Sequence, residues 1–195
     1  MVSVAFFITL VLLVGIQRIA EVIYSNRNVA RMLHHGGREH APEQMKWMTL
    51  LHVGWLVGMC LEVLLLHRPF VWPLAIVALV VFAMGQLLRY AAMRALGARW
   101  NVRIVTMPGE HVVTGGIYRY LRHPNYLGVT LELAALPLVH GAFITAIVAT
   151  VLNALMLKAR IDAEEAALGY DTDYQQALSD RPRMVPGLQR RHEAH

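Results

Sequence analysis

The chain is short of the things that mark a water-soluble or secreted domain. Only 16% of its 195 residues are charged, against roughly a quarter in soluble domains. Four stretches, 1–17, 47–61, 69–88 and 133–157, contain no Asp, Glu, Lys or Arg. A spanning helix needs about 20 mostly apolar residues, so these gaps in charge exclude a soluble fold and imply a polytopic membrane protein. One cysteine, Cys60, excludes an intrachain disulfide. Its apolar neighbours make it a small buried hydrophobe rather than a nucleophile. Internal repeats are lacking too, which leaves a single membrane domain over residues 1–195.

The first apolar stretch has no basic lead and no small-x-small cleavage site, so it reads as a transmembrane helix rather than a signal peptide. The net charge of +5 is spread over membrane-flanking segments, which argues against nucleic acid as a partner. Arg27, Arg31, Arg38 and Lys46 form one basic group, Arg89 to Arg122 a second, and Arg181 to Arg191 a third. The turns at His67-Arg68 and His140-Gly141 are nearly free of positive charge. The positive-inside tendency predicts five spans, with the N-terminus outside and the C-terminus in the cytoplasm.

The predicted architecture is all-α, with helices over about 2–24, 43–66, 69–96, 126–139 and 142–168. The run Ser25-Asn26-Arg27-Asn28 is expected to interrupt the first helix, with a short interfacial helix over 27–35. Pro69 and Pro73 suit the first turn of the third helix. The fourth, short and holding Pro137, tilts or crosses only in part, and Gly169 is placed to close the fifth. Residues 97–125 form a cytoplasmic loop and 170–195 an irregular tail.

Chemistry-bearing residues crowd into that loop. Arg122, His123 and the start of helix four suit an anionic group. Tyr118 and Tyr126 offer aromatic faces to a ring or a cation, or else anchor the membrane interface. Arg160 and Glu164 lie four apart on one helix face. They either pair with each other or project together into a pocket, while Glu165 points elsewhere as a solvated or secondary group. Glu132 is an intramembrane carboxylate, a class usually tied to function. It acts either as a base toward a hydroxyl or as a structural partner of Asn153 or His52. Arg18, Glu21 and Glu62 read as interfacial or interhelical partners. His34, His35 and His40 lack metal-ligand spacing, and His192 and His195 sit in the tail, so no metal site is predicted.

Several segments in order, Trp100-Asn101, His111-Val112-Val113-Thr114-x-Gly116-x-Tyr118, Arg122-His123-Pro124-x-Tyr126, Arg160-x-x-x-Glu164-Glu165 and Gly169-x-x-x-x-Tyr174, resemble the isoprenylcysteine carboxyl methyltransferase family. The chain is more closely similar to its small bacterial branch associated with type III polyketide synthases that make alkylpyrones and alkylresorcinols. The resemblance begins near Arg18 and is strongest over 100–174. It implies a membrane O-methyltransferase of the bacterial cytoplasmic membrane that uses S-adenosyl-L-methionine, with the cofactor entering from the cytoplasm and a lipophilic acceptor from the bilayer. It also implies cofactor contacts from Glu110, His111, Val112 and Val113, from Tyr118, and from His123, Pro124 and Tyr126 beside Arg122. Glu164 closes the pocket and Arg160 faces the acceptor.

The chain departs from the eukaryotic pattern near Val105, where a glutamine is missing, and at Glu110, where the family histidine of a His-Thr-Leu-Val stretch falls. The helix is also shorter between Glu165 and Gly169. These departures point away from a prenylated protein as acceptor. The expected reaction is methylation of a hydroxyl on an alkylpyrone or alkylresorcinol-like lipid, in functional link with a polyketide synthase. The alternatives are carboxyl methylation of an isoprenylcysteine-type molecule, or a nicotinamide-dependent sterol-type reductase, which shares the Arg-His-Pro-x-Tyr element.

Overall fold

A computed structural model of the protein describes residues 2–184. Six helices and two short strands follow in the order α1 Val2–His34, β1 Arg38–His40, α2 Gln44–Leu65, α3 Trp72–Leu96, β2 Ile104–Thr106, α4 Pro124–Leu138, α5 Phe143–Asp171 and α6 Tyr174–Leu178. Helices α1, α2, α3 and α5 are long and apolar enough to cross a membrane. Helix α4 has 15 residues, about 22 Å at 1.5 Å per residue, which falls short of a hydrocarbon core of about 30 Å. The polarity is that of a membrane protein: Leu12, Ile19, Val77, Leu87, Ile147 and Leu155 are exposed, while Glu21, Arg89, Glu132 and Asn153 are buried.

Helix α4 is held inside the bundle, against α3 above all and then α5. Two glycines set the approach to α3. A Cβ on Gly85 would stand 2.8 Å from the Gly128 carbonyl oxygen, and one on Gly128 would stand 2.7 Å from that of Gly85. Small residues at such a crossing let two backbones meet, which dispersion and interhelical polar contacts then reward in a membrane. Below the crossing lies the apolar core of Phe7, Trp55, Met59, Leu133 and Leu136. There the Trp55 indole donates to the Leu133 carbonyl at 3.1 Å.

At the same depth a charge cluster joins three helices. Glu21 of α1 accepts from Arg18 at 2.7 Å and from Arg89 of α3, and Glu132 of α4 accepts from Arg18 and forms an ion pair with Arg89 at 3.5 Å. Gln17 donates to both Glu21 at 2.9 Å and Gln86 at 2.7 Å. On the other side of the bundle, Glu62 of α2 takes the amides of Ile144 and Thr145 at the start of α5 and is paired by Arg68. Arg18, Glu21 and Glu62 are thus interhelical partners.

Several boundaries differ from expectation for identifiable reasons. Helix α1 runs unbroken through residues 25–28 because these side chains find tertiary partners instead of their own backbone. Ser25 Oγ accepts the Val102 amide at 2.9 Å, and Asn28 Nδ2 donates to the Trp100 carbonyl at 2.7 Å. Pro69 lies outside α3, whose first turn holds only Pro73. Gly169 lies inside α5, which continues to Asp171 and closes where the Thr172 hydroxyl and amide both donate to the Leu168 carbonyl. The predicted loop contains β2, antiparallel to β1 with Glu39 opposite Val105, and the predicted irregular tail contains α6. Pro186, Arg190, Arg191, His192 and His195 lie outside the described residues.

Candidate active site

The segment between α3 and α4 takes its shape from the far end of α5. Asp171 accepts the Gly109 amide on its backbone oxygen at 2.8 Å. Its carboxylate binds Thr106 of β2 and His40 and Arg38 of β1. Two residues on, Asp173 receives the Val112 amide at 2.8 Å and His111 Nδ1 at 2.7 Å. That amide, and then the imidazole, hold the Asp173 carboxyl below its usual value. The chain after α6 completes the frame: Arg181 donates to the Tyr118 carbonyl at 2.5 Å, and the Pro182 and Arg183 carbonyls accept the amides of Arg122 and His123.

This frame encloses a cavity of about 580 Å³, within the range of small-molecule sites, roughly 300–1,000 Å³. Its wall includes Glu110, His111, Val112 and Val113, then Tyr118, Arg122, His123 and Tyr126, and from α5 Arg160 and Glu164. Residues far apart in sequence are therefore brought to one surface. Pro124 is not part of that wall; it is buried and opens α4 at its first turn. The wall continues between α1 and α2 with Ile19, Val22, Met45, Met48, Val53 and Leu56.

At the centre, the Tyr126 hydroxyl links the two α5 residues. It accepts from Arg160 Nε at 3.0 Å and donates to Glu164 Oε2 at 2.5 Å. Arg160 and Glu164 are joined through this phenol, neither as a surface ion pair nor as independent groups. Arg160 also donates Nη2 to the Val102 carbonyl at 2.6 Å and lies over the Tyr126 ring. Only 5% of it is exposed. Among the described residues its Nη1 has no hydrogen-bond partner, which leaves one donor of a fixed guanidinium aimed by two others. Burial, and secondarily Glu164, push the Tyr118 hydroxyl above its usual value, so it stays a neutral phenol.

Two carboxylates lie elsewhere than expected. Glu165 is not solvated: it is buried and receives Arg122 at 3.1 Å, His123 Nε2 at 2.9 Å, Arg183 at 2.5 Å and the Tyr174 hydroxyl at 3.1 Å. It thereby occupies donors of Arg122 and His123 that were expected to meet a ligand's carboxylate, although Arg122 Nε remains buried without a partner among the described residues. Glu132 is 2% exposed and absent from the cavity wall, with one oxygen committed to Arg18 and Arg89. Its other oxygen, Oε1, is buried without a partner among the described residues and does not line the cavity, where a base toward a bound hydroxyl would have to stand. Its alternative partners are otherwise engaged: Asn153 donates to Thr130 at 3.1 Å and His52 to the Met48 carbonyl.

Sequence reasoning missed Asp171, Asp173, Arg181 and Arg183, which touch the loop from the end of α5 and the chain after it. Tyr174, which stood in the Gly169-x-x-x-x-Tyr174 pattern, was their only signal.

A cofactor with a carboxylate, an ammonium, a sulfonium and an adenine needs both signs of charge, aromatic faces and unspent polar atoms. The wall supplies Arg99 and Arg122, Glu110 and Glu164, Tyr118 and Tyr126. Asn125 Oδ1 and Trp100 Nε1, on wall residues, are buried without partners among the described residues. These residues fit such a group.

The fold and site define a helical membrane enzyme whose pocket is built by the loop before α4 and the end of α5. Residues 75–170 match the isoprenylcysteine carboxyl methyltransferase (ICMT) family. The chain is 33% identical over 163 residues to the uncharacterized protein YpbQ of Bacillus subtilis, covering 83% of this chain and 96% of that one. It is 28% identical over 113 residues to the protein-S-isoprenylcysteine O-methyltransferase of Schizosaccharomyces pombe, covering 56% of this chain and 48% of that enzyme. The solved structure of the eukaryotic intramembrane Ras methyltransferase ICMT shares the fold, with a TM-score of 0.52 and 23% identity. That match covers 78% of this chain and 55% of the other. The chain spans about half the length of these two eukaryotic proteins. The protein belongs to the isoprenylcysteine carboxyl methyltransferase family and is a membrane methyltransferase.

Proposed function

We propose that the protein transfers the methyl group of S-adenosylmethionine to an oxygen of a lipophilic acceptor, by preference a hydroxyl of an alkylpyrone or alkylresorcinol-like lipid. The observation that carries this reading is the continuity of one cavity from a charged rim at Glu110 and Arg122, past Arg160, into an apolar slot between α1 and α2. Such a shape suits a polar cofactor at one end and a lipid tail at the other.

The cofactor supplies an activated methyl group on sulfur. Glu164, Tyr118, Tyr126, Arg122, His123 and the backbone of 110–113 would hold it. Glu165 fixes His123 and Arg122 from behind, and the His123 ring stacks on Tyr126 at 5.5 Å, so the aromatic faces are set before a ligand arrives. Arg160 offers Nη1 to the acceptor oxygen, favouring its anion as the hydroxyl proton leaves to solvent at the open rim, and its other two bonds keep the approach in line. Glu132 serves the site at a distance, by holding Arg18 and Arg89 at the cavity's inner end.

The second reading is a carboxylate acceptor of isoprenylcysteine type, favoured by the name of the S. pombe relative. Calorimetric titration of the purified protein with S-adenosylmethionine and with NADPH tests the cofactor. Binding of NADPH alone would replace the reading by a reductase. Lipid extracts with and without the gene, searched for a gain of one methyl group, identify the acceptor.

A further inference from the structure

One polar residue of the inner cavity has no part in the mechanism above. His52 of α2 belongs to the cavity wall, beside Met48, Val53 and Leu56. Its Nδ1 lies 2.8 Å from the Met48 carbonyl oxygen, an acceptor that cannot donate, so Nδ1 carries the ring hydrogen and Nε2 presents a lone pair. Among the described residues Nε2 has no hydrogen-bond partner, and its nitrogen is not one of the sealed, partnerless atoms of the interior. The indole of Trp55 meets the ring edge to face at 6.3 Å and limits its rotation. The result is a fixed hydrogen-bond acceptor at the mouth of an apolar slot.

The charges around it decide what can bind. Arg18 and Glu21 of α1 and Arg89 of α3 line the same cavity, and Glu132 of α4 stands behind both arginines. Two guanidiniums and two carboxylates compensate each other, so this corner offers no net positive charge to an anion. A carboxylate would bring a negative charge and no hydrogen to a histidine lone pair. A neutral hydroxyl would bring the hydrogen that Nε2 lacks. His52 and Arg160 line the same cavity, so one head group can meet both.

We propose that His52 is the specificity-determining residue for the acceptor: its Nε2 accepts a hydrogen bond from a hydroxyl of the head group, with the alkyl chain running between α1 and α2. This deepens the hydroxyl-acceptor reading and rests on it. The chain slot is lined by Met45 and Met48 with Ile19 and Leu56, and flexible thioether side chains accept tails of differing shape. The site therefore selects the head group strictly and the tail loosely.

The test compares wild type with His52→Phe and His52→Gln, using a 5-alkylresorcinol, its monomethyl ether, its dimethyl ether and an alkylthioacetate carrying the same chain. Binding is read by displacement of a fluorescent alkyl probe without cofactor, and turnover separately. S-adenosylmethionine affinity reports that each variant is folded. Wild type should bind the resorcinol about ten- to a hundredfold more tightly than the dimethyl ether, as expected when a buried acceptor is left unpaired. His52→Phe should lose most of that ratio, with the loss in KM rather than kcat, and His52→Gln should recover part of it through its amide oxygen. A hydroxyl acceptor methylated by all three proteins with the same preference overturns the role of His52 and leaves the hydroxyl reading standing. A wild type that binds and methylates only the alkylthioacetate overturns the hydroxyl reading and this proposal with it. If neither variant folds, a wild type that does not distinguish the resorcinol from its dimethyl ether is enough to overturn the proposal.

Discussion

Replacing Tyr126 by Phe removes one oxygen and leaves the ring under Arg160. The structure says which side of the loss matters. Glu164, whose side chain is 28% exposed, can take a water in place of the phenol. Arg160, 5% exposed, cannot, and it keeps only the bond to Val102 and the ring face. A hydrogen bond to a charged group contributes about 1.5–3 kcal/mol, equivalent to roughly ten- to a hundredfold. Most of this should appear in the methyl-transfer step, because a guanidinium held by one bond samples orientations that misplace the acceptor. Cofactor affinity should fall by less than about tenfold, since Glu164 is rehydrated rather than abandoned. The assay is single-turnover methylation of an alkylresorcinol in lipid nanodiscs, paired with calorimetry of S-adenosylmethionine binding, for Tyr126→Phe, Arg160→Ala and the double variant. The two losses should be markedly non-additive, as for residues that act as a unit. A wild-type rate in Tyr126→Phe, or strict additivity in the double variant, would refute the idea that the phenol aims Arg160.

Other outcomes follow from the same contacts. Arg160→Lys should restore little of the activity lost in Arg160→Ala, because an ammonium cannot bind Tyr126, Val102 and an acceptor in one fixed plane; full rescue in a turnover assay would contradict this. Glu132→Gln should lower stability by about 1–3 kcal/mol, because Arg18 and Arg89 then share the single carboxylate of Glu21, read as a fall in melting temperature; a stable variant with impaired turnover would restore Glu132 to the chemistry. Asp173 titrates below its unfolded value of about 4, so its hold on Val112 and His111 is complete above that pH and lost as pH falls through the depressed folded value. Protection of the Val112 amide, measured against its intrinsic exchange rate at each pH, should accordingly fall on acidification in wild type and be low at every pH in Asp173→Ala; strong protection in the variant would remove Asp173 from the frame. Gly128→Ala should cost about 1–3 kcal/mol by overpacking, because a new Cβ would stand 2.7 Å from the Gly85 carbonyl and 2.6 Å from Arg89 Cγ; an unchanged melting temperature would show that the crossing is loose.

What could be read without coordinates is the part governed by local physics. Uncharged runs of spanning length predict membrane helices wherever they occur, so α1, α2, α3 and α5 were legible, and the shortness of α4 together with Pro137 marked it as the exception. The spacing of Arg160 and Glu164 put both on one helix face, and the resemblance of the 111–126 and 160–174 segments identified the family before any contact was known. The cavity wall gathers the candidate site residues, Pro124 and Glu132 apart.

What the chain order hides is which partner each polar group chooses. Ser25 and Asn28 have the local propensity to break a helix, but their hydrogen bonds to Val102 and Trp100 outweigh it, and α1 runs on. Gly169 has the flexibility to end α5, but the frame beyond it needs Asp171 and Asp173 one turn further along. Glu164 and Glu165 are adjacent and chemically identical, and only the 100° step between neighbours on a helix sends one to the cavity and the other to Arg122, His123 and Arg183. The same holds for Glu132 and His52, both lone polar residues in apolar helices. Packing turns Glu132 toward two arginines and leaves His52 facing the cavity with an open nitrogen. Periodicity and composition determine where a helix lies; three-dimensional packing alone decides which buried charge is compensated and which polar atom is left free to bind.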